Sequence, residues 1–187
     1  MSGNLSGPIS HWAGMTLTID KAPAMPAVIR RLVAADAQDY RTIRLAALAR
    51  DPDAFGSVYD IEVARPLSAF AERLASSTVF GAFLGERIVG MAGFKTESGP
   101  KDCHKAFVWG LYVRPSARGQ GVAAALMAAL IAEARLSVEQ LTLAVVEGNA
   151  AAIALYRRFG FAAYGVEPRA LKTETGYRNE VLMARVL

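Results

Sequence analysis

The segment with the most chemistry in reach is Arg118-Gly119-Gln120-Gly121-Val122-Ala123, set between a β-rich stretch and a long apolar helix pattern. Glycines at 119 and 121 let the backbone bend and let a ligand approach it closely. The helix start that follows offers backbone N–H groups without intrahelical partners and the positive end of its dipole. Together these make an anion site of diphosphate size. Arg118 adds charge, and Ala123, Ala124 and Ala125 keep its mouth free of bulk. Downstream, Asn149 and Tyr156 are seven residues apart in a helical pattern, so about two turns separate them on one face. Asn149 is also well placed to cap that helix.

Two common phosphate loops fit poorly. A P-loop ends in Gly-Lys-Ser/Thr, which is absent. The dinucleotide pattern G-x-G-x-x-G/A is met in letters by Gly119, Gly121 and Ala124. Yet Arg114–Arg118 offsets the loop from its strand, and no acidic residue closes the next strand at about 20 residues on. A single cysteine, Cys103, excludes an intrachain disulfide framework and any multi-cysteine zinc site. With His11 and His104 the only histidines, no metal centre is expected.

The elements that must hold these residues follow from hydrophobic periodicity. Val28–Val33 reads as a strand, and Ala35–Arg50 as a helix whose stripe is Tyr40, Ile43, Leu45 and Leu48, stopped by Asp51-Pro52. A loop with a helical turn leads to a second helix, Leu67–Ser76. Thr78–Leu84 and Ile88–Phe94 flank Gly85-Glu86-Arg87 as a hairpin. Strand Ala106–Val113, helix Val122–Leu136 and strand Leu141–Val146 make a βαβ unit with a parallel pair. Helix Ala150–Phe159 ends at Gly160, and strands Phe161–Val166 and Asn179–Val186 close the sheet. The expected fold class is α/β, a mixed sheet with antiparallel strands first and a parallel βαβ after. Residues 28–187 read as one domain, and 1–27 as a flexible tail and lead-in.

Composition agrees with that picture. The 187 residues are 53% hydrophobic and 20% charged, with mean hydropathy +0.25, which excludes a disordered chain. No secretory signal opens the sequence, and the longest apolar stretch, Val122–Ala132, is too short to cross a bilayer. The expectation is a soluble, cytoplasmic protein with no membrane partner. The net charge of +4 and pI near 9.4 suit either nucleic acid or a small anionic ligand. The arginines are spread from Arg30 to Arg185 without a recognition motif, so no nucleic-acid partner is expected.

The loop is better matched by R/Q-x-x-G-x-G/A, the acetyl-CoA pyrophosphate loop of the GNAT N-acetyltransferase superfamily. Leu111-Tyr112-Val113 with Arg114-Pro115 resembles that family's fourth strand and its exit. Asn149-Ala-Ala-Ala-Ile-Ala-Leu-Tyr-Arg-Arg-Phe-Gly-Phe161 resembles its N-x-x-A-x-x-L-Y-x-x-x-G-F segment, and Asn179–Met183 its last strand. The element order from Val28 onward agrees as well. The resemblance implies splayed central strands and an acetyl-CoA-dependent N-acetyltransferase acting on a primary amine by direct attack. The alternative is a non-catalytic acyl-CoA-binding or sensing module of the same fold.

What the resemblance implies residue by residue is specific. Leu111, Tyr112 and Val113 would meet the pantetheine arm. Arg118, Gly119, Gln120, Gly121, Val122 and Ala123 would hold the pyrophosphate. Asn149 would touch the arm besides capping its helix. Tyr156 would protonate the departing thiolate, a phenol of pKa ~10 serving a thiol of ~8.5. Packing beside Phe159 and Phe161 is the plainer role for that ring. Gly110, odd inside a strand, marks either a bulge or a small residue under Trp109. The family's usual strand glutamate is missing from Lys105–Gly110. That leaves Glu62, Glu97, His104 or a water relay as base. Asp51, Asp53, Asp60 and Glu62 could attract a cationic acceptor amine, or form a solvated rim. A homodimer through an exposed edge at the last strands is permitted.

Overall fold

Two of the strands read from sequence, β2 (Thr78–Leu84) and β3 (Arg87–Thr96), are apolar through nearly their whole length, and both are buried on both faces. Such strands belong in the middle of a covered sheet. In the computed structural model, which describes residues 26–187, they are joined by a tight turn at Gly85 (φ +58°). β1 (Val28–Arg31) pairs antiparallel with β2, and β4 (Lys105–Val113) with β3. Helix α4 (Val122–Ala134) then crosses the sheet to β5 (Gln140–Val146), which runs parallel to β4. Helix α5 (Ala150–Arg158) and the hairpin of β6 (Ala162–Thr173) and β7 (Gly176–Val186) complete the chain. The sheet order is β1-β2-β3-β4-β5-β7-β6, with β7 inserted between β5 and β6.

Both faces are covered. Val122, Leu126, Met127, Leu130 and Ile131 of α4 pack on one side with Tyr156 and Phe161. On the other, α1 (Ala37–Arg50) and α3 (Leu67–Ser76) bury Tyr40, Ile43, Ala47, Phe70 and Leu74, with the short α2 (Tyr59–Val63) between them. Gly160 ends α5 with φ +80°, the left-handed stop that glycine makes cheap.

Several expectations need correction. The first strand stops at Arg31, because Asp36 accepts from the Val33 N–H and from both Arg30 Nη atoms at 2.8–2.9 Å and draws the chain into a 3-10 turn. Leu45 is only half-buried; the inward place beside Ile43 belongs to Arg44, 6% exposed. β6 runs past Val166 to Thr173, since bulges between Ala163/Gly165 and Glu167/Leu171 absorb Pro168, which has no N–H to donate. The tail read over residues 1–27 lies, through residue 25, outside the described residues. Among the described residues, no helix is long and apolar enough to cross a membrane, and no cluster of metal-ligating side chains occurs.

Candidate active site

The parallel pairing of β4 with β5 covers only Lys105↔Gln140, Ala106↔Leu141 and Phe107↔Thr142. Beyond it β4 stays with β3 as far as Gly90↔Val113, and β5 stays with β7 as far as Val146↔Glu180. The two strands therefore diverge, and the β5-facing backbone of residues 108–113 is left without a strand partner. At the fork β4 carries a bulge. Met91 faces Tyr112 and Gly93 faces Trp109, so Gly110 and Leu111 both stand opposite Ala92. Gly110 has φ +71°, and a side chain there would meet nothing nearer than Arg44 Nη1 at 3.9 Å. Backbone conformation, not crowding, calls for glycine, which decides for the bulge.

A groove of about 370 Å³ follows the fork on one side. Leu111, Tyr112, Val113, Arg118, Ala123 and Asn149 line it, with Ala152 and Leu155 of α5. Gly119 (φ +74°) and Gly121 (φ +78°) turn the loop into α4, both facing open space. Gly121 is the N-cap and supplies no side-chain acceptor, which leaves the first-turn N–H groups of α4 uncapped by a side chain. Arg118 donates Nε–H to Val113 O at 2.9 Å and pairs with Asp51 at 2.8 Å. Gln120 Nε2 donates to Ser116 O at 3.0 Å, and Val122 is buried under the helix. Asn149 Oδ1 accepts from Ala152 N–H at 3.2 Å, so the cap is real. Tyr156 is 8% exposed, packs edge-on against Phe161 at 5.9 Å, and lines no cavity found at the fork. Burial pushes its phenol up to about 12.

On the other side of the bulge lies a cavity of about 790 Å³. Its wall includes Arg44, Phe55, Ser57, Phe107, Trp109, Gly110, Ala144 and Glu180. Gly110 faces this cavity and the next residue, Leu111, faces the groove; Phe55 borders both. The two spaces thus meet at the bulge.

The carboxylates singled out from sequence do not reach this cavity. Glu62 is buried in a two-pronged pair with Arg73 at 3.0 and 3.1 Å, with Arg65 at 3.7 Å. Burial alone would raise its pKa; the Arg73 guanidinium more than offsets that and holds it low. Glu97 is exposed on the β3–β4 loop, and the His104 carbonyl accepts from the N–H groups of Glu139 and Gln140. Asp51 is paired with Arg118 and Asp53 with Arg178, while Asp60 lines neither space. Two residues given no role from sequence do line the cavity. Glu180 pairs with Val146 across β5–β7 and is half-buried; burial, then the nearby Glu167, raises its pKa. Arg44 is nearly inaccessible. A carboxylate within the final apolar strand was the available signal for Glu180; for Arg44 there was none.

Residues 38–161 match the model of the acetyltransferase (GNAT) family. The chain belongs to that family. The matched GNAT segment runs from α1 to the start of β6 and holds the fork, the glycine loop, Asn149 and Tyr156, but not Glu180. A 60-residue stretch is 43% identical to the L-methionine sulfoximine/L-methionine sulfone acetyltransferase of Pseudomonas aeruginosa, covering 32% of this chain. The match spans about a third (35%) of that relative's length. Among solved structures, the ribosomal-protein-alanine N-acetyltransferase of Brucella melitensis is similar with TM-score 0.75 and 26% identity, over 86% of this chain and 99% of that one. The Salmonella typhimurium protein yncA, solved with its cofactor acetyl-CoA, has the same fold at TM-score 0.72 and 22% identity, over 87% and 94% of the two chains.

Proposed function

We propose that this GNAT protein transfers an acetyl group from acetyl-CoA to a primary amine by direct attack in a ternary complex. The observation that carries the reading is the meeting of two separate cavities at the Gly110–Leu111 bulge. The groove fits acetyl-CoA: an unpaired β4 edge suits an extended amide-bearing arm, and the uncapped start of α4 suits a pyrophosphate. Leu111, Tyr112 and Val113 would hold the arm, with Asn149 beside it. Arg118, Gly119, Gln120, Gly121, Val122 and Ala123 would hold the phosphates. When bound, acetyl-CoA supplies an acyl carbon activated by its thioester: an N–C bond forms as the C–S bond breaks.

The larger cavity is the amine's. Glu180 is its proton acceptor, being the half-buried carboxylate in that wall, whereas Glu72 is exposed. Tyr156 serves the departing thiolate by donating a hydrogen bond from its phenol, which burial keeps protonated. The acceptor classes in the names of the relatives, an amino-acid derivative and a ribosomal-protein alanine, are both amines, which supports the amine class. A cytoplasmic location and a homodimer through the free edge of β6 belong to the same reading. The test is thiol release from acetyl-CoA across a panel of amines and peptides. Turnover with at least one amine is expected. CoA binding without turnover by any of them would favour the non-catalytic acyl-CoA module instead.

A further inference from the structure

Arg44 and Glu62 are the buried charged side chains among the described residues. Glu62 has its counter-ions in Arg73 and Arg65. Arg44 has no ion pair: no carboxylate of the described residues lies within 4 Å of it, and Glu62, already held by Arg73, acts on it only from farther away. Its Nη2 donates to Ser57 Oγ at 2.7 Å, and its Nε is buried without any partner. The guanidinium stands near the rings of Phe55 and Trp109, at 5.6 and 6.0 Å, which offsets part of its desolvation. An unpaired buried cation is costly until an anion joins it. This one lines the cavity next to the bulge, with Nη1 only 3.9 Å from where a Gly110 side chain would begin.

Position then narrows the ligand. An anion seated on Arg44 lies beside Gly110, and the attacking nitrogen must reach the same bulge. The anionic group and the amine can therefore be only a few bonds apart. Glu180, in the wall of the same cavity, supplies the negative charge that an ammonium group needs. Nη1, which makes no hydrogen bond and lies beside the bulge in the cavity wall, offers N–H donors that suit a carboxylate oxygen.

We propose that the acceptor is a free α-amino acid, its carboxylate bound by Arg44 and its amine directed to the Gly110–Leu111 bulge. This rests on the acetyltransferase reading and gives Arg44 a substrate-binding role. A peptide N-terminus carries an amide where the carboxylate would sit, so it leaves Arg44 unpaired.

The experiment uses the full chain. The twenty L-amino acids and L-methionine sulfone are each compared with the matching amide, the decarboxylated amine and a peptide bearing that N-terminal residue. Thiol release from acetyl-CoA gives kcat/KM, and calorimetry on CoA-saturated protein gives binding without turnover. The expected result is at least one free acid preferred over its amide and amine by about 30-fold or more, in binding and in kcat/KM. Arg44→Met should remove that preference, costing the free acid at least about tenfold more than its amide, and leave CoA affinity unchanged; Arg44→Lys should restore part of it. Equal or better use of amides or peptides by the unaltered protein overturns the proposal, whether or not Arg44→Met folds. So does an Arg44→Met effect that is equal for acids and amides. If CoA binds and no amine is turned over, the calorimetric arm still decides the Arg44 site, while acetyl transfer fails by itself.

Discussion

Tyr156 and Glu180 serve the two ends of the proposed reaction, the departing thiolate and the attacking amine, and their surroundings set different signatures. A phenol pushed up to about 12 by burial stays protonated throughout the neutral range, so its titration does not enter the rate between pH 6 and 10. Its proton is also held tightly, which limits it to a hydrogen bond that strengthens as charge grows on sulfur. Tyr156→Phe should lower kcat by about 10²-fold with little change in KM for acetyl-CoA, measured by steady-state thiol release. An unchanged kcat would leave Tyr156 as a packing residue against Phe161. Glu180 must be ionised to accept a proton. Its pKa is raised, so activity should rise with pH through a limb above the ordinary carboxylate range and flatten beyond it. Glu167 faces it from β6, and Arg44, Arg65, Glu72, Arg73 and Lys95 share the cavity wall. Glu180→Gln should cost about 10²-fold or more in kcat/KM and abolish that limb in a pH–rate profile. Retention of the limb in the variant would assign it to another group.

At the scale of elements, the loop into α4 can be probed without disturbing the core. Gly121 has φ +78° with open space around it, so alanine there meets no clash and suffers only the left-handed backbone cost of about 1–2 kcal/mol. Gly121→Ala should therefore fold, melt a few degrees lower, and lose CoA affinity by tenfold or more in calorimetry, since the N–H groups around it must reorient. Full CoA affinity would show that the loop does not hold the phosphates. The elements themselves were largely legible, because local periodicity specified them: α3 and β2 agree residue for residue with their readings, and α4 begins at Val122 as expected. What failed at this scale was context. The strand expected to stop at Val166 continues to Thr173, carried past Pro168 by two bulges. The buried stripe expected of α1 includes Leu45, yet Leu45 is half-buried and its neighbour Arg44 turns inward to the cavity.

Across the whole molecule, the Glu62–Arg73 pair ties α2 to α3 beneath the cavity wall. Glu62→Gln would leave the Arg73 guanidinium without its partner. Arg73 keeps partial water access, so the loss should be about 2 kcal/mol rather than the 3–5 of a fully buried pair. For a chain of this length that lowers Tm by about 4–8 °C in a scanning calorimeter. The sign with pH follows. The Glu62 carboxyl is held below its ordinary value when folded, so its contribution is present above the unfolded carboxylate range and is lost as pH falls through the folded value. Wild type and Glu62→Gln should converge in Tm at low pH; a constant difference would mean that the pair contributes through packing alone.

From the sequence alone come the family motifs, the order of the elements and the glycine loop. All are local patterns: the periodicity of apolar side chains, the positive-φ demands met by Gly119 and Gly121, and the capping chemistry of Asn149. Tertiary structure decided what depends on residues far apart in the chain. It set how soon β4 and β5 part, where Gly110 bends, and that β7 enters between β5 and β6. That insertion carries Glu180 to the cavity wall that Arg44 reaches from α1, 136 residues earlier in the chain. Burial then changes both groups, raising the pKa of one carboxyl and leaving one guanidinium without an ion pair. No local pattern encodes desolvation, and so the cavity proposed for the acceptor became readable only once the sheet had closed around it.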